Sequence, residues 1–166
     1  MAKLLSLLKI IIERVIFSVV VKIKRSLKLS IKPIFINFIV TYRCNSRCLM
    51  CNIWQKYKRS QKMLKGELSL EQIKKILQEN QKMFANLKNI GLTGGEAFLR
   101  PDIVPLIKLI HQSLPHIRIG IQTNGLSPKL IKKKLKQIKL FYPDIGLAIS
   151  LDGLGSAHDK IRGINQ

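Results

Sequence analysis

The stretch IFINFIVTYRCNSRCLMC, residues 34–51, joins an apolar run directly to all three cysteines of the chain. The run from Ile34 to Val40 is rich in β-branched and aromatic residues and follows Pro33, which predicts a buried β-strand. Because the cysteines come where this strand ends, we expect the loop that carries them to lie at the carboxyl end of a sheet. A strand that ends at a reactive loop is typical of βα folds.

The rest of the chain repeats this alternation of strand and helix. Further strands are predicted at three runs, Asn89–Thr93, Ile117–Thr123 and Ile145–Leu151. Helix-start signals lie between them at Ser69 with Gln72, Pro101 with Asp102, and Ser127 with Pro128. The first of these helices is predicted to reach about Phe84 and the last about Lys139. The alternation predicts parallel strands, arranged either as a βα half-barrel or as a small doubly wound sheet.

Each predicted strand runs into a polar or glycine-bearing turn. The turns read TYRCNSRCLMC, TGGE, TNG and SLDG. In a βα barrel the carboxyl ends of the strands meet at one face, where reactive residues are found. This regularity favours the barrel. The predicted fold class is therefore α/β, a partial (β/α) TIM-like barrel of about four βα units that follows an N-terminal amphipathic helix.

The composition is that of a globular chain with a strong excess of positive charge. Among 166 residues, 30 Lys and Arg face 9 Asp and Glu, for a formal net charge of +21. Such an excess attracts nucleic acid, anionic lipid or acidic substrates. No nucleic-acid motif is visible and no aromatic residues interleave with a basic stripe, so a nucleic-acid partner is disfavoured. Three cysteines do not make a disulfide framework, which favours a reducing, cytoplasmic compartment.

Residues 1–29 form a predicted domain of their own, separate from residues 30–166. Between Leu4 and Val21 the segment is mostly apolar, and its polar residues recur at helical spacing. Charges within the run disfavour a membrane-spanning helix. A signal peptide is also disfavoured, because no cleavage site with small residues follows the run. An amphipathic helix on an anionic membrane surface, peripheral at the inner membrane face, is one prediction, with Lys22, Lys24, Arg25 and Lys28 toward the lipid. A helix packed on protein is the equal alternative.

The three cysteines, Cys44, Cys48 and Cys51, are predicted metal ligands. Closely spaced thiolates favour zinc, copper or an iron–sulfur cluster. A structural zinc site needs a fourth protein ligand, whereas all three histidines of the chain lie on other elements. A four-iron cluster held by only three thiolates would keep one iron open for a substrate or cofactor.

The cysteine pattern C-x3-C-x2-C resembles that of the radical S-adenosylmethionine (SAM) enzymes. Further motifs that agree with this family are Gly94, Gly95 and Glu96 after the second strand, and SLDG and HDKIRG near the C-terminus. The resemblance extends from about Ile34 to the C-terminus. It implies a radical SAM partial barrel with a 4Fe-4S cluster that reductively cleaves S-adenosylmethionine to a 5′-deoxyadenosyl radical, which abstracts a substrate hydrogen. It also implies a small-molecule or peptide substrate and an external one-electron reductant of the flavodoxin or ferredoxin type.

The resemblance further implies roles for individual residues. Cys44, Cys48 and Cys51 would be the cluster ligands and the catalytic centre. Glu96 would accept a hydrogen bond from the cofactor amino group, beside Gly94 and Gly95, whose backbone would approach the cofactor closely. The other implied cofactor contacts are Met50 and Ile53 at the adenine, Asn124 at the ribose, and Ser150 with Arg162 at the carboxylate. For Asn124, an ordinary Asn-Gly turn is the equal alternative.

The family barrel usually has six or more strands, and this sequence ends soon after the fourth predicted strand. The expectation is therefore an N-terminal part of a longer protein. The alternative function is a membrane-surface or iron–sulfur electron-transfer module, a remnant without cleavage activity.

Overall fold

The computed structural model describes residues 2–29, 31–55 and 66–164. The chain divides into two compact units, Met1–Pro33 and Ile34–Gln166. The first contains one helix, α1 (Ala2–Ser26), whose last turn carries Lys24 and Arg25. Within the described ranges, no helix combines the length and apolar character needed to cross a membrane. The helical prediction for the N-terminal segment is confirmed.

The second unit is built on a parallel sheet whose strands are adjacent in chain order. They are β1 (Phe35–Thr41), β2 (Asn89–Gly94), β3 (Arg118–Thr123) and β4 (Gly146–Ile149). In register, Ile36 pairs with Ile90 and Ile90 with Ile119. Because all the strands point the same way, their carboxyl ends lie along one edge. The predicted α/β class with successive βα units is confirmed.

Helices follow the strands; the bounds of the predicted helices differ in one place, and the 3₁₀ turn and the last helix were not predicted. They are α2 (Leu70–Glu79), α3 (Gln81–Phe84), a 3₁₀ turn (Ala97–Leu99), α4 (Ile103–Ser113), α5 (Pro128–Lys139) and α6 (Ser156–Arg162). The first helix was expected to run unbroken to about Phe84, but it is interrupted at Asn80. The Asn80 side chain donates a hydrogen bond to the Ile76 carbonyl at 2.9 Å, and such a competitor ends a helix.

The two serines at predicted helix starts behave differently. Ser69 forms a full capping box, because its side chain accepts from the Gln72 backbone while the Gln72 side chain accepts from the Ser69 N–H. Ser127 precedes Pro128 at the start of α5 but makes no capping hydrogen bond with its side chain. Its hydroxyl instead accepts a hydrogen bond from Asn45 Nδ2 at 3.1 Å. The second serine therefore serves the cysteine loop rather than its own helix.

The hydrophobic core lies between the sheet and the helices that cover one of its faces. Alternate residues of the central strands, Ile90 and Leu92 on β2 and Ile119 and Ile121 on β3, are buried, as the two-residue period of a strand requires. The matching helix residues are those predicted from the periodicity of α4, namely Ile103, Leu106, Ile107 and Ile110. This packing holds the strand ends, and the turns that follow them, in fixed relative positions.

Candidate functional site

A cavity of about 310 Å³ lies at the carboxyl ends of the strands. Every one of the predicted turns contributes to its lining. The lining residues are Cys44, Ser46, Cys48, Met50, Cys51, Thr93, Gly94, Gly95, Gln122, Thr123, Asn124, Ser150, Asp152 and Arg162. A larger cavity of about 660 Å³ near Lys88, His116 and Arg118 has neither a cysteine nor an acidic residue in its lining. The smaller cavity is therefore the candidate site.

The cysteines differ in how far they are withdrawn from solvent. Cys48 is 7% exposed, whereas Cys44 and Cys51 are half-buried. Burial raises the pKa of the Cys44 thiol, the hydrogen bond from the Ser46 N–H opposes the rise, and the nearby Cys48, Glu96 and Cys51 add to it. A thiolate in this place needs a compensating positive charge, which a metal centre supplies.

Ser46, between the first two cysteines, is a buried polar residue at 1% exposure. Its N–H donates to Cys44 Sγ at 3.4 Å, and its hydroxyl lies 3.0 Å from Cys48 Sγ. The same hydroxyl donates to the Arg162 carbonyl at 2.7 Å. The serine thus joins two of the sulfurs to the end of α6.

Gly94 and Gly95 receive the backbone of the cysteine loop. The Gly95 N–H donates to the Thr41 carbonyl at 2.8 Å, and the Glu96 N–H donates to the Arg43 carbonyl at 2.7 Å. A Cβ at Gly94 would collide with the Thr41 carbonyl oxygen, and one at Gly95 with that of Arg43. The absence of side chains lets two loops pack backbone to backbone, and both glycines still line the cavity.

Glu96 lies beneath the cavity and is fully buried. Its carboxylate accepts hydrogen bonds from the Phe98 N–H at 3.1 Å and the Asn124 N–H at 2.8 Å. The Thr123 hydroxyl lies 3.0 Å from both carboxylate oxygens. Glu96 is not among the residues that line the cavity. Its side chain ties the turn after β2 to the end of β3.

Asn124 lines the cavity, but its side-chain amide is also occupied within the chain. Its Oδ1 accepts from the Leu126 N–H at 3.0 Å, and its Nδ2 donates to Asn45 Oδ1 at 2.8 Å. These contacts agree with the Asn-Gly turn that was the alternative interpretation of this residue. They also connect the turn after β3 to the cysteine loop.

Arg162 brings a positive charge to the cavity from the last turn of α6. Its Nη1 lies 3.7 Å from Cys48 Sγ, and its Nε forms an ion pair at 2.5 Å with Asp152 Oδ2. The loop N–H groups of Arg47 and Leu49 donate to the Arg162 and Ile161 carbonyls at 3.0 and 2.9 Å. Carbonyls at the end of a helix lack partners within the helix, so these bonds fasten α6 to the cysteine loop.

The structure brings together most of the predicted site residues. The three cysteines, Met50, Gly94, Gly95, Asn124, Ser150 and Arg162 all line the one cavity. Ile53 and Glu96 do not. Next to Ile53, Trp54 donates its indole N–H to the Cys48 carbonyl at 3.1 Å, with the Arg47 guanidinium 5.4 Å from its ring centroid. Trp54 therefore braces the loop from outside.

Sequence reasoning missed three residues that hold the site in shape. Ser46 is one, and Glu67 is another, since it accepts from the Thr41 hydroxyl at 2.8 Å and the Tyr42 N–H at 2.7 Å. Arg100 is the third: at 4% exposure it donates to the Val40 and Leu68 carbonyls at 2.6 and 2.8 Å and pairs with Asp102. Ser46 lies within the cysteine motif and Arg100 four residues after Glu96, and these positions along the chain were the available signals.

The three cysteines at the cavity suit an iron–sulfur cluster as a donor set. Among the described residues, no group of three or more His, Cys, Asp or Glu side chains converges on one point that could hold a metal ion. A cluster needs thiolates that surround a shared space, each on its own iron. The three cysteines line such a space, and the guanidinium of Arg162 lies beside it.

Comparison with known proteins agrees with this geometry. A family model, the Radical SAM superfamily, matches residues 38–166. The chain is 33% identical over 108 residues, 64% of its length, to a GTP 3′,8-cyclase of Nautilia profundicola, covering 32% of that protein. It is 30% identical to the subtilosin biosynthesis protein AlbA of Bacillus subtilis over 133 residues, which make up 79% of this chain and 27% of that protein.

A solved structure shows the same fold. The crystal structure of Streptococcus suis SuiB bound to its precursor peptide SuiA superposes with a TM-score of 0.64 at 20% identity, covering 86% of this chain and 30% of SuiB. The chain spans about a third of the length of the curated relatives that it matches. Since the family match takes in the cysteine loop and all of the turns around the cavity, the chain belongs to the radical SAM superfamily of enzymes.

Proposed function

We propose that residues 34–166 are the cluster- and cofactor-binding part of a radical SAM enzyme. The observation that carries this proposal is the single cavity into which three cysteines and the turns after all of the strands converge. Cys44, Cys48 and Cys51 would hold a 4Fe-4S cluster, and S-adenosylmethionine would occupy the space beside it. When bound, these two groups would supply a carbon-centred radical that removes a hydrogen atom from the substrate.

The residues of the chain would bind the cluster and the cofactor and orient them. The Arg162 guanidinium, 3.7 Å from Cys48 Sγ, offers a cation both to the sulfur and to a cofactor carboxylate. Gly94 and Gly95 form a part of the cavity wall that has no side chains, and Ser150 and Met50 form further parts of the same wall. Glu96 supports this wall from below, through Thr123 and Asn124. An external one-electron reductant of the flavodoxin or ferredoxin type would deliver the electron.

For the substrate, we propose a peptide. SuiB is solved with a precursor peptide, and AlbA is named for the biosynthesis of a bacteriocin. A small-molecule substrate is the alternative, since a GTP 3′,8-cyclase is also similar.

Anaerobic reconstitution with iron and sulfide tests the proposal. The chain should take up about four irons and show visible charge-transfer absorbance. Cys48→Ala should lose most of both, whereas Met50→Leu, a change in the same loop at a residue that is not a predicted cluster ligand, should keep them. The protein loaded with iron and sulfide should release 5′-deoxyadenosine with dithionite and S-adenosylmethionine. Tight zinc binding without charge-transfer absorbance would contradict the proposal.

We also propose that α1 holds the chain at an anionic membrane surface. Each large apolar side chain from Leu4 to Val20 is at least 41% exposed. The helix and the residues after it carry Lys22, Lys24, Arg25 and Lys28 against the single acid Glu13. A helix with exposed apolar side chains and basic residues suits the boundary between anionic headgroups and acyl chains.

Sedimentation with vesicles tests this surface location. The full chain should sediment with vesicles that contain anionic lipid, less so with neutral vesicles, and less so as salt is raised. Residues 34–166 alone are the comparison and should sediment less than the full chain, because they keep basic residues but lack the exposed apolar side chains of α1. If α1 instead packs on protein, the full chain will sediment with either kind of vesicle no more than residues 34–166 do.

A further inference from the structure

The Ser46 hydroxyl lies close to two possible hydrogen-bond acceptors but has only one hydrogen to donate. Its hydroxyl, 1% exposed with the rest of the residue, lies 2.7 Å from the Arg162 carbonyl oxygen and 3.0 Å from Cys48 Sγ. A serine hydroxyl has one hydrogen to donate, and a carbonyl oxygen can only accept. In the structure the Ser46 hydrogen therefore belongs to the Arg162 contact. The Cys48 contact is then filled by the hydrogen of the Cys48 thiol.

Iron changes this arrangement, if the cysteines hold a cluster as proposed above. A cysteine that binds iron has released its proton to solvent, so its sulfur can only accept hydrogen bonds. The two acceptors, Cys48 Sγ and the Arg162 carbonyl, then compete for the Ser46 hydroxyl. Hydrogen bonds to anionic acceptors are stronger than those to neutral ones. The Arg162 carbonyl keeps a second donor, the Arg47 N–H at 3.0 Å, whereas an unbonded hydroxyl oxygen against an anionic sulfur would be repelled.

We propose that Ser46 is a positioning residue whose hydroxyl turns from the Arg162 carbonyl to Cys48 Sγ when the cluster binds. This reorientation of the Ser46 hydroxyl has two consequences. A new donor to a ligand sulfur raises the reduction potential of the cluster, because it stabilises the added negative charge of the reduced state. The loss of one bond to the end of α6 loosens the helix that carries Arg162, whose Nη1 lies 3.7 Å from the same sulfur.

Two readouts test the switch in the full chain, and neither needs catalytic activity. The first is the reduction potential of the loaded cluster, from a redox titration followed by electron paramagnetic resonance. The second is amide hydrogen exchange at Arg47 and Leu49, whose N–H groups hold the Arg162 and Ile161 carbonyls. The variant is Ser46→Ala, with Ser46→Thr as the conservative change that keeps a hydroxyl. Ser113→Ala is the matched control, because Ser113 ends α4 and does not line the cavity.

Ser46→Ala should shift the potential of the loaded protein to more negative values, and Ser46→Thr should restore it. In the cluster-free protein, Ser46→Ala should speed exchange at Arg47 and Leu49 by about fivefold, the worth of one hydrogen bond. In the loaded protein the same substitution should change exchange by less than about twofold, because the hydroxyl has already left the carbonyl. Ser113→Ala should leave the potential unchanged.

The outcomes separate this inference from the proposed function. If the loaded wild-type chain and loaded Ser46→Ala have the same reduction potential, the inference alone is overturned. It is also overturned if Ser46→Ala speeds amide exchange equally in the cluster-free and loaded protein, because the hydroxyl then has a purely structural role. If Ser46→Ala takes up no cluster while Ser46→Thr does, the hydroxyl is required at the sulfur and the inference stands. Failure of the wild-type chain to take up iron overturns the proposed function and this inference with it.

Discussion

At the scale of single residues, Glu96 is a motif residue whose side chain is held by hydrogen bonds within the chain. Its carboxylate accepts from the Phe98 and Asn124 N–H groups and from the Thr123 hydroxyl, entirely out of contact with solvent. Glutamine in its place would turn an NH₂ group toward donors that need an acceptor. We expect Glu96→Gln to lower the free energy of unfolding of the cofactor-free protein by about 1–3 kcal/mol, measured by urea denaturation.

Glu79→Gln is the matched control for this prediction. Glu79 forms an exposed ion pair with Lys75 at 3.7 Å, and exposed pairs contribute at most about 1 kcal/mol. If Glu96 acted only through direct contact with the cofactor, the stability of the cofactor-free protein would not change in Glu96→Gln, and the supporting role given to it here would be wrong.

Gly95 carries a second prediction at this scale. A methyl group at this position would strike the Arg43 carbonyl, one residue before Cys44. We expect Gly95→Ala to cost about 1–3 kcal/mol of stability, as overpacking does, and to reduce iron uptake because the cysteine loop is displaced. Both are measured on the same preparation, by urea denaturation and by iron analysis.

Gly120→Ala is the comparison for Gly95→Ala. Gly120 lies on β3, where an added Cβ would meet only the Gly146 carbonyl oxygen at 4.0 Å. This variant should take up iron as the wild-type chain does. Equal iron uptake by the two alanine variants would show that the glycine does not seat the loop.

At the scale of elements, the serines that begin α2 and α5 allow a direct comparison. Ser69 caps α2 with its side chain, whereas Ser127 makes no such bond to α5. We expect Ser69→Ala to lower the free energy of unfolding by about 1 kcal/mol and Ser127→Ala to lower it by less, in paired denaturation curves. A larger loss from Ser127→Ala would mean that its bond to Asn45 contributes more than a helix cap.

The attachment of α5 to the turn after β2 predicts a pH dependence. Lys134 donates to the Phe98 and Arg100 carbonyls at 2.8 and 2.7 Å, and burial lowers its pKa, against the opposing attraction of Asp102. The unfolded chain therefore binds this proton more tightly than the folded one, so the contribution of Lys134 to stability grows as pH rises toward its ordinary pKa of 10.5 and is lost as pH falls.

The comparison that checks this sign is with Lys134→Met. The free energy of unfolding of the wild-type chain should increase relative to the variant as pH rises toward 10.5, the ordinary pKa of a lysine. A constant difference across that range would show that burial does not perturb the lysine.

At the scale of the whole molecule, the two units divide the proposed roles. Every residue that lines the cavity belongs to the unit Ile34–Gln166. We therefore expect residues 34–166 without the N-terminal unit to take up about four irons, with the same absorbance spectrum as the full chain, while binding anionic vesicles less than the full chain does. Loss of iron uptake on this deletion would show that the N-terminal unit contributes to the cluster site.

Local sequence patterns were sufficient for the elements of the fold. The β-branched runs became β1 to β4, and the apolar spacing of Ile103, Leu106, Ile107 and Ile110 became the buried face of α4. These signals are local, because strand and helix periods depend on neighbours along the chain. The break at Asn80 escaped prediction, since it depends on whether one side chain turns back onto its own helix.

For the site, the sequence by itself indicated the candidate ligands and the turns that line the cavity, because in a parallel sheet the turn after each strand lies on one edge. Only the tertiary structure decided what each residue touches. It placed Glu96 beneath the cavity, set the loop backbone on Gly94 and Gly95, and made Ser46 and Arg100 supports of the site. Those contacts join residues that are distant in sequence. Buried donors and acceptors must be paired, and the packing of the core decides which of them lie close enough to pair.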